Sequence, residues 1–420
     1  MPIFYGKART EKTGIVREKT LVYGSSGVID TFDRALTSGP TLIIGRKGTV
    51  GSTHYSEEPC WPIDTVYFVE ATEDKNLRFF KYLLDHVQLG ELDRSTAVPG
   101  LSRDDYNAKE IAIPDVTEQR RIVSEIEKQF TRLEAGVAAF RRVQANLKRY
   151  RAAVLNAACE GHLVPTEAEL AKAENRKFET GEELLARVLS ERRKNWRGRG
   201  KYKEPVAPDK TNLPTIPDGW TWTTLEAVTE AVGGFAFSSR KFVEAGYQVV
   251  KMANVRMGKI DLTQKPSFIS DVTPDIVDKY TLREGDLVVT LTGTRKKRDY
   301  GYVAVVKTQE GLLLNQRIAR VRPSIGMDSK FLQLAMQAEH YRDRFFSHET
   351  GNVGQGNVGM AAVTKEMVTL PPLAEQTWIV AEVERRLSMV EELESVVSAN
   401  LQRATRLRQS VLHRVFGGRL

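Results

Sequence analysis

Pro62-Ile-Asp64 followed by Glu73-Asp-Lys75 carries the residue types of a metal-dependent nuclease, in which carboxylates hold magnesium and a lysine assists the attacking water. The Asp does not directly follow the Pro, and such spacings arise easily by chance. Gly45-Arg-Lys-Gly-Thr-Val-Gly51 has the glycine density of a phosphate-cradling loop but lacks the Gly-Lys-Ser/Thr ending that would grip phosphate and magnesium. The Asn/Asp-Pro-Pro-aromatic tetrapeptide with which base-modifying methyltransferases hold a flipped base is missing as well. Cys60 and Cys159 lie far apart and the 6 histidines are scattered, which supports neither a disulfide framework nor a zinc site, and no metal site is expected.

Basic and amide side chains on polar loops offer a different chemistry. Lys and Arg neutralise phosphates, while Arg can bond guanine through two parallel donors and Asn or Gln can do the same to adenine. The candidates are Arg46 and Lys47 early in the chain, with Arg94 and Arg103 as lesser ones. Later come Arg240, Lys241 and Arg256, the run Arg295-Lys296-Lys297-Arg298, and Gln316 with Arg317 beside Asn315. Gln355 and Asn357 complete the set from a glycine-rich stretch, Gly351 to Gly359. The four-residue basic run is the strongest of these for DNA contact, and the bland reading of it is a solvated hairpin tip. With 62 Lys plus Arg against 54 Asp plus Glu, the net charge of +8 permits a polyanionic partner without identifying one.

These residues need elements to hold them. The 41% hydrophobic and 28% charged content is that of an ordinary globular protein, long enough at 420 residues for two or more domains. No apolar run reaches the roughly 20 residues that span a bilayer, and Met1-Pro-Ile-Phe-Tyr-Gly-Lys7 lacks a signal peptide's apolar core. The expected compartment is the cytoplasm, with no membrane partner.

An internal repeat organises the chain. Residues 114–163 align without a gap on 371–420, with identities that include Pro114/Pro371, Glu118/Glu375, Gln119/Gln376, Ile122/Ile379, Arg151/Arg408, Val154/Val411 and Gly161/Gly418. Each copy reads as one long helix: a proline precedes it, none interrupts it, and glycine closes it. In the first copy Ile122, Ile126, Phe130, Leu133, Phe140, Leu147 and Val154 recur at steps of three and four. Ile379, Val383, Leu387, Val390, Val397, Leu401 and Val411 do so in the second. A mean step near 3.6 gives each helix one apolar face over about 40 residues, roughly 60 Å. Burying those faces against each other as an antiparallel, coiled-coil-like pair is the economical solution, giving the chain an approximate two-fold axis. Two helices lying separately on their own domains is the other reading.

A second repeated unit precedes each helix. Thr41 to Ile44 and Thr65 to Val69 read as strands and Asn76 to Gln88 as a helix. In the later copy Tyr247 to Met252, Gly285 to Leu291 and Tyr302 to Val306 read as strands and Ser329 to Phe346 as a helix. Residues 164–213 link the halves, beginning helical and ending with Arg192, Arg193, Lys194, Arg197, Arg199, Lys201 and Lys203 interleaved with Trp196 and Tyr202. Phosphate contact and a solvated surface hairpin explain that run about equally well. The expected fold is α+β, with α/β domains at 1–113 and 214–370, long helices at 114–163 and 371–420, and a basic helical linker at 164–213.

The order of region, Pro-x-x-x-Glu-Gln with long helix, region, Pro-x-x-x-Glu-Gln with long helix resembles the type I restriction-modification specificity subunits, HsdS. Supporting motifs are Tyr23-Gly-Ser-Ser-Gly27, Leu42 to Gly51, Ile216-Pro-Asp-Gly-Trp-Thr-Trp222 and Gly285-Asp-Leu. The resemblance spans nearly the whole chain. It implies two target-recognition domains that each read one half of a split double-stranded DNA site, and helices that act as spacer and dock two methyltransferase (modification) subunits. Restriction/translocase subunits complete the complex. It implies no chemistry in this chain, with S-adenosylmethionine, ATP and magnesium on the partner subunits. The readers' footprints are expected about one helical turn apart, roughly 34 Å. The first region has no counterpart of Ile216 to Trp222 and starts abruptly near Met1, which reads either as a truncated or misassigned start or as a naturally short first domain. The rival functions are a metal-dependent DNA nuclease and a structural coiled-coil adaptor.

Overall fold

The computed structural model describes residues 1–8, 19–92, 100–108, 110–197, 200–208, 213–307, 311–352 and 354–417. Arg94 and Arg199 fall outside them, as does Gly418. The chain divides into two units, Met1–Gln144 with Ser395–Leu420, and Ala145–Glu394.

The first unit contains β1 (Phe4–Tyr5), β2 (Thr20–Gly24), β3 (Gly27–Phe32), β4 (Thr41–Gly45), β5 (Thr53–Ser56), β6 (Cys60–Pro62) and β7 (Val66–Glu70). Helices α1 (Leu77–Val87), α2 (Arg103–Asn107) and the first part of α3 (Val116–Glu160) follow. Its main sheet has the order β1-β7-β4-β5, with every neighbour antiparallel. In a second sheet β2 lies between antiparallel β3 and parallel β6. β4 is buried at every residue, as its unbroken Leu-Ile-Ile run requires of a strand covered on both faces. Asn76 caps α1 by accepting from the Arg78 and Phe79 amides, and the helix turns Leu77, Phe79, Phe80, Leu83 and Leu84 inward. Gly51 sits at a φ of +74°, and a Cβ there would come within 2.2 Å of the Gly90 nitrogen, so only glycine fits this crossing.

The second unit opens with the end of α3, then α4 (Glu167–Glu174) and α5 (Gly181–Lys194). Next come β8 (Thr221–Thr224), α6 (Leu225–Val228), β9 (Thr229–Gly233), β10 (Tyr247–Val250), β11 (Val255–Arg256), β12 (Lys259–Ile260), β13 (Phe268–Ile269) and α7 (Pro274–Tyr280). They are followed by β14 (Leu287–Thr290), β15 (Thr292–Thr294), β16 (Val303–Val305), β17 (Leu312–Leu314), β18 (Ile318–Pro323), α8 (Ser329–Gln337) and α9 (Glu339–Ser347). The unit ends with β19 (Gln355–Asn357), α10 (Met360–Thr364), β20 (Met367–Leu370) and the first part of α11 (Leu373–Phe416). Its main sheet, β9-β18-β14-β16, is antiparallel throughout, and β10 lies between antiparallel β13 and parallel β17. Strand for strand, these are the orders and directions of the first unit. Ribbons β11-β12, β15-β19 and β8-β20 have no counterpart among the first unit's described sheets.

The recurring Pro-x-x-x-x-Gln has one job in both units. Gln119 Nε2 donates to the Pro114 carbonyl at 2.9 Å while its Oε1 accepts from the amide of Asn76, the cap of α1. Gln376 does the same with the Pro371 carbonyl and the amide of Asp328, the cap of α8, at 3.2 and 2.8 Å. One amide thus ties the start of each long helix to the capped start of an earlier one. Gly285-Asp-Leu is equally local in purpose: Asp286 is buried, holds Arg322 through both oxygens at 2.7 and 2.8 Å, and accepts from the Arg283 amide.

Several expectations need correction. The helix read over Ser329 to Phe346 is two, because Ala338 at ψ 149° breaks it between α8 and α9. The linker read over residues 164–213 begins helical, at α4 and α5, and Leu184 and Val188 of α5 belong to the second unit's core. Arg192 is held by the carbonyls of Glu226, Ala227 and Thr229, while Arg193 pairs with Glu204 and Lys194 with Glu191 in exposed ion pairs. Along the long helices Ile122, Ile126, Phe130, Leu147, Val154, Ile379, Val383, Val390 and Val397 are buried, whereas Leu133, Phe140, Leu387, Leu401 and Val411 are only partly so. Leu393 and Leu407 are exposed. A helix covered along one line buries the middle of its stripe and leaves the flanks in solvent. Among the described residues no helix is long and apolar enough to cross a membrane.

Candidate nucleic-acid interface

In the first unit the Gly45-to-Gly51 loop closes on itself, with the Gly51 amide donating to the Gly45 carbonyl at 2.8 Å. The amides of Arg46 and Lys47 both reach the Thr65 carbonyl, and the Arg46 guanidinium lies 5.1 Å from the centre of the Tyr5 ring and 5.8 Å from that of Tyr67. Two aromatic faces thus aim one half-buried arginine by cation–π attraction, while Lys47 beside it is exposed. Burial, with Tyr5 alongside, pushes the Tyr67 hydroxyl up to about 12 and keeps it a donor to the Leu101 carbonyl. Arg103 is exposed at the start of α2. The nuclease-like set is not assembled. Lys75 bonds Thr72 and Asp74 in the turn before α1, and among the described residues no cluster of three or more His, Cys, Asp or Glu could hold a metal.

In the second unit the antiparallel ribbon β15-β19 carries the basic run at its tip, residues 295–298. Gln355 and Asn357 are therefore strand residues of that ribbon, both exposed, rather than part of an open loop. The four cations divide into two kinds. Arg295 Nε is 2.6 Å from Glu349, which also accepts from Tyr300, and Arg298 lies over the Phe346 ring at 4.9 Å and 3.8 Å from Asp343. Lys296 and Lys297 have no ion pair among the described residues and stand exposed. The arginines hold the tip in shape, and the lysines present its charge. Glu349 and Asp343 were not legible as partners, since each lies more than forty positions along the chain and no local spacing marks them.

Of the remaining candidates, Arg240 is exposed and Lys241 pairs with Asp271 at 2.8 Å. Arg256 is tied to the Ala253 and Val255 carbonyls and to Gln264. Gln316 and Arg317 occupy the exposed turn between β17 and β18, where Arg317 adopts a left-handed φ of +68° that costs an L side chain about 1 kcal/mol. Arg256, Arg317 and Gln355 converge on one depression of about 590 Å³, together with Thr292, Asp299 and Tyr302, which sequence spacing did not single out.

The family model described as the type I restriction modification DNA specificity domain matches residues 4–138 and 217–394, one stretch for each reader-like region. The EcoBI type I restriction enzyme specificity subunit of Escherichia coli is 22% identical over 387 residues, 90% of this chain and 73% of that protein. The EcoAI specificity subunit, also from Escherichia coli, is 25% identical over 276 residues, 64% of this chain and 44% of that protein. A solved chain from work described as the structural basis of complex assembly and conformational transition of the type I R-M system superposes with a TM-score of 0.61 at 17% identity, covering 95% of this chain and 91% of that one. That likeness is one of fold. With the family match covering well over half its length, the chain belongs to the type I restriction modification DNA specificity domain family.

Proposed function

We propose that the chain is the DNA-specificity subunit of a type I restriction-modification complex, reading a bipartite double-stranded target and leaving the chemistry to its partners. The observation that carries this reading is the doubling. Two units share one strand order, and the same glutamine tether leads into a long helix from each. Two methyltransferase (modification) subunits dock on the helices and restriction/translocase subunits join them. S-adenosylmethionine, ATP and magnesium reside on those partners, and the assembly works in the cytoplasm.

The long helices act as a mutually packed antiparallel pair. In support, Arg408 of α11 meets Glu134 of α3 at 3.3 Å within the first unit and covers the Phe130 ring. Arg151 of α3 meets Glu391 and Glu394 of α11 within the second. The recognition domains are residues 1–113 and 214–370, and their reading surface is built from Arg46, Lys47, Arg240, Lys241, Arg256, Arg295 to Arg298, Gln316, Arg317, Gln355 and Asn357. A coiled-coil adaptor would leave both basic, strand-rich units without a task.

The deciding experiment is co-expression with candidate methyltransferase subunits followed by mapping of methylated bases. A split motif is expected, and its absence would refute the reading. Lys296→Ala with Lys297→Ala removes two phosphate contacts. It should weaken DNA binding alike for all sequences and lower the slope of log affinity against log salt by about 1.8. A shift assay at several salt concentrations measures both, and an unchanged slope would remove the lysines from the interface.

A further inference from the structure

We infer that Arg317 and Asp299 are specificity-determining residues of the second recognition domain and read one G·C base pair through its major-groove edge, an assignment that rests on the DNA-reading function proposed above. Arg317 is the free arginine of the depression. Its neighbours Arg256, Arg295 and Arg298 are held by carbonyls, amides or carboxylates, whereas the Arg317 guanidinium has no ion pair among the described residues. The backbone that carries it is held on successive residues: the Asn315 amide donates to the Val250 carbonyl, the Gln316 amide to that of Phe235, and the Arg317 carbonyl accepts from Leu291. That turn keeps an arginine at a φ of +68°, where glycine would sit at ease. A strained residue held in place by its surroundings, with its side chain otherwise idle, points to a role for the side chain.

The company it keeps selects base edges over phosphate. Asp299 lines the same depression, exposed, with Oδ1 accepting the Thr294 amide at 2.6 Å. A carboxylate repels phosphate, so the depression is no cradle for the backbone. A guanidinium fork and a carboxylate acceptor are instead the complement of a G·C pair. Arg donates to guanine O6 and N7, and Asp accepts from the cytosine amino group. Lys296 and Lys297, outside the depression, keep the phosphate role.

The test maps methylated motifs in the co-expressed complex for the wild type and for Arg317→Ala, Arg317→Gly, Asp299→Asn and the double lysine variant. In the wild type one half-site should contain an invariant G·C pair. Arg317→Ala and Arg317→Gly should each relax that one position, with discrimination falling about tenfold or more, and Asp299→Asn should relax the same position. Arg317→Gly should do so with an unchanged or higher melting temperature, because glycine relieves the left-handed backbone, which separates lost reading from lost folding. The double lysine variant should lower methylation without changing the motif. Arginine variants that keep the wild-type motif, or that lower methylation evenly at every position, would overturn the assignment while leaving the specificity function intact. A wild-type complex that yields no split motif would overturn both.

Discussion

Phe416→Ala should destabilise the first unit by about 3–5 kcal/mol and leave the second nearly untouched. The residue stands at the last turn of α11, yet it is fully buried in a core whose other members, Leu412 apart, run from Ile3 to Phe130. Its ring meets Phe79 of α1 edge-on at 5.5 Å and stacks near His86 at 5.9 Å, and Leu412 one turn earlier is buried in the same cluster. Truncation to alanine leaves a cavity between α1 and α11 that a sheet and two helices cannot close without moving. Hydrogen exchange resolves the prediction by region. Amides of β4, β7 and α1 should lose protection, while those of β14 and β18 keep it. Equal loss in both units, or none in either, would show that the end of α11 is not part of the first core.

Glu375→Ala should cost the second unit roughly 2–5 kcal/mol, because it strands two buried donors at once. Glu375 is fully buried and accepts from the Trp220 indole at 2.9 Å and from the Glu167 amide at 3.0 Å. Burial holds its carboxyl above the ordinary range, opposed by the two donated N–H bonds. With the folded value raised, the native state binds the proton more tightly than the unfolded chain. Stability from this group is therefore full below the ordinary carboxylate value and falls as pH rises through the raised one. Glu375→Gln keeps one acceptor oxygen, so it should lose less than the alanine variant and flatten that pH dependence in thermal melts of the unit. Glu118, which aligns with it in sequence, is partly exposed and pairs with Arg121 at 2.7 Å. Glu118→Ala should shift stability by no more than about 1 kcal/mol. Equal losses at the two positions would refute the unequal roles given to them.

That contrast measures how far letters carry. Glu118 and Glu375 align with each other in sequence, but only Glu375 has Trp220 and Glu167 packed over it, and those partners come from segments that the first unit's described residues do not duplicate. Gln119 and Gln376 differ from them in that their targets, a proline carbonyl and a helix cap, recur in both units. The DNA-facing candidates divided in the same way. The basic run at 295–298 was legible as a cluster, but which of its members were free depended on Glu349 and Asp343. Likewise α5 had the composition of a solvated basic helix, and its burial was decided by Leu184 and Val188 meeting a core whose other members, Cys159 apart, run from Leu225 to Leu370.

By itself, the sequence determined what is written in local periodicity and local backbone preference: long helices within 114–163 and 371–420, a helix from Asn76, the β runs, and the order of motifs from which the family could be named. Those properties depend on neighbours within a few residues, so spacing records them. Only the tertiary structure decided which cations are free, which glutamate is buried, where α8 ends, and that Arg256, Arg317, Asp299 and Gln355 share one depression. Each of these depends on contacts between residues far apart in the chain. Whether a charge is neutralised or presented is settled by the partner that folding brings beside it.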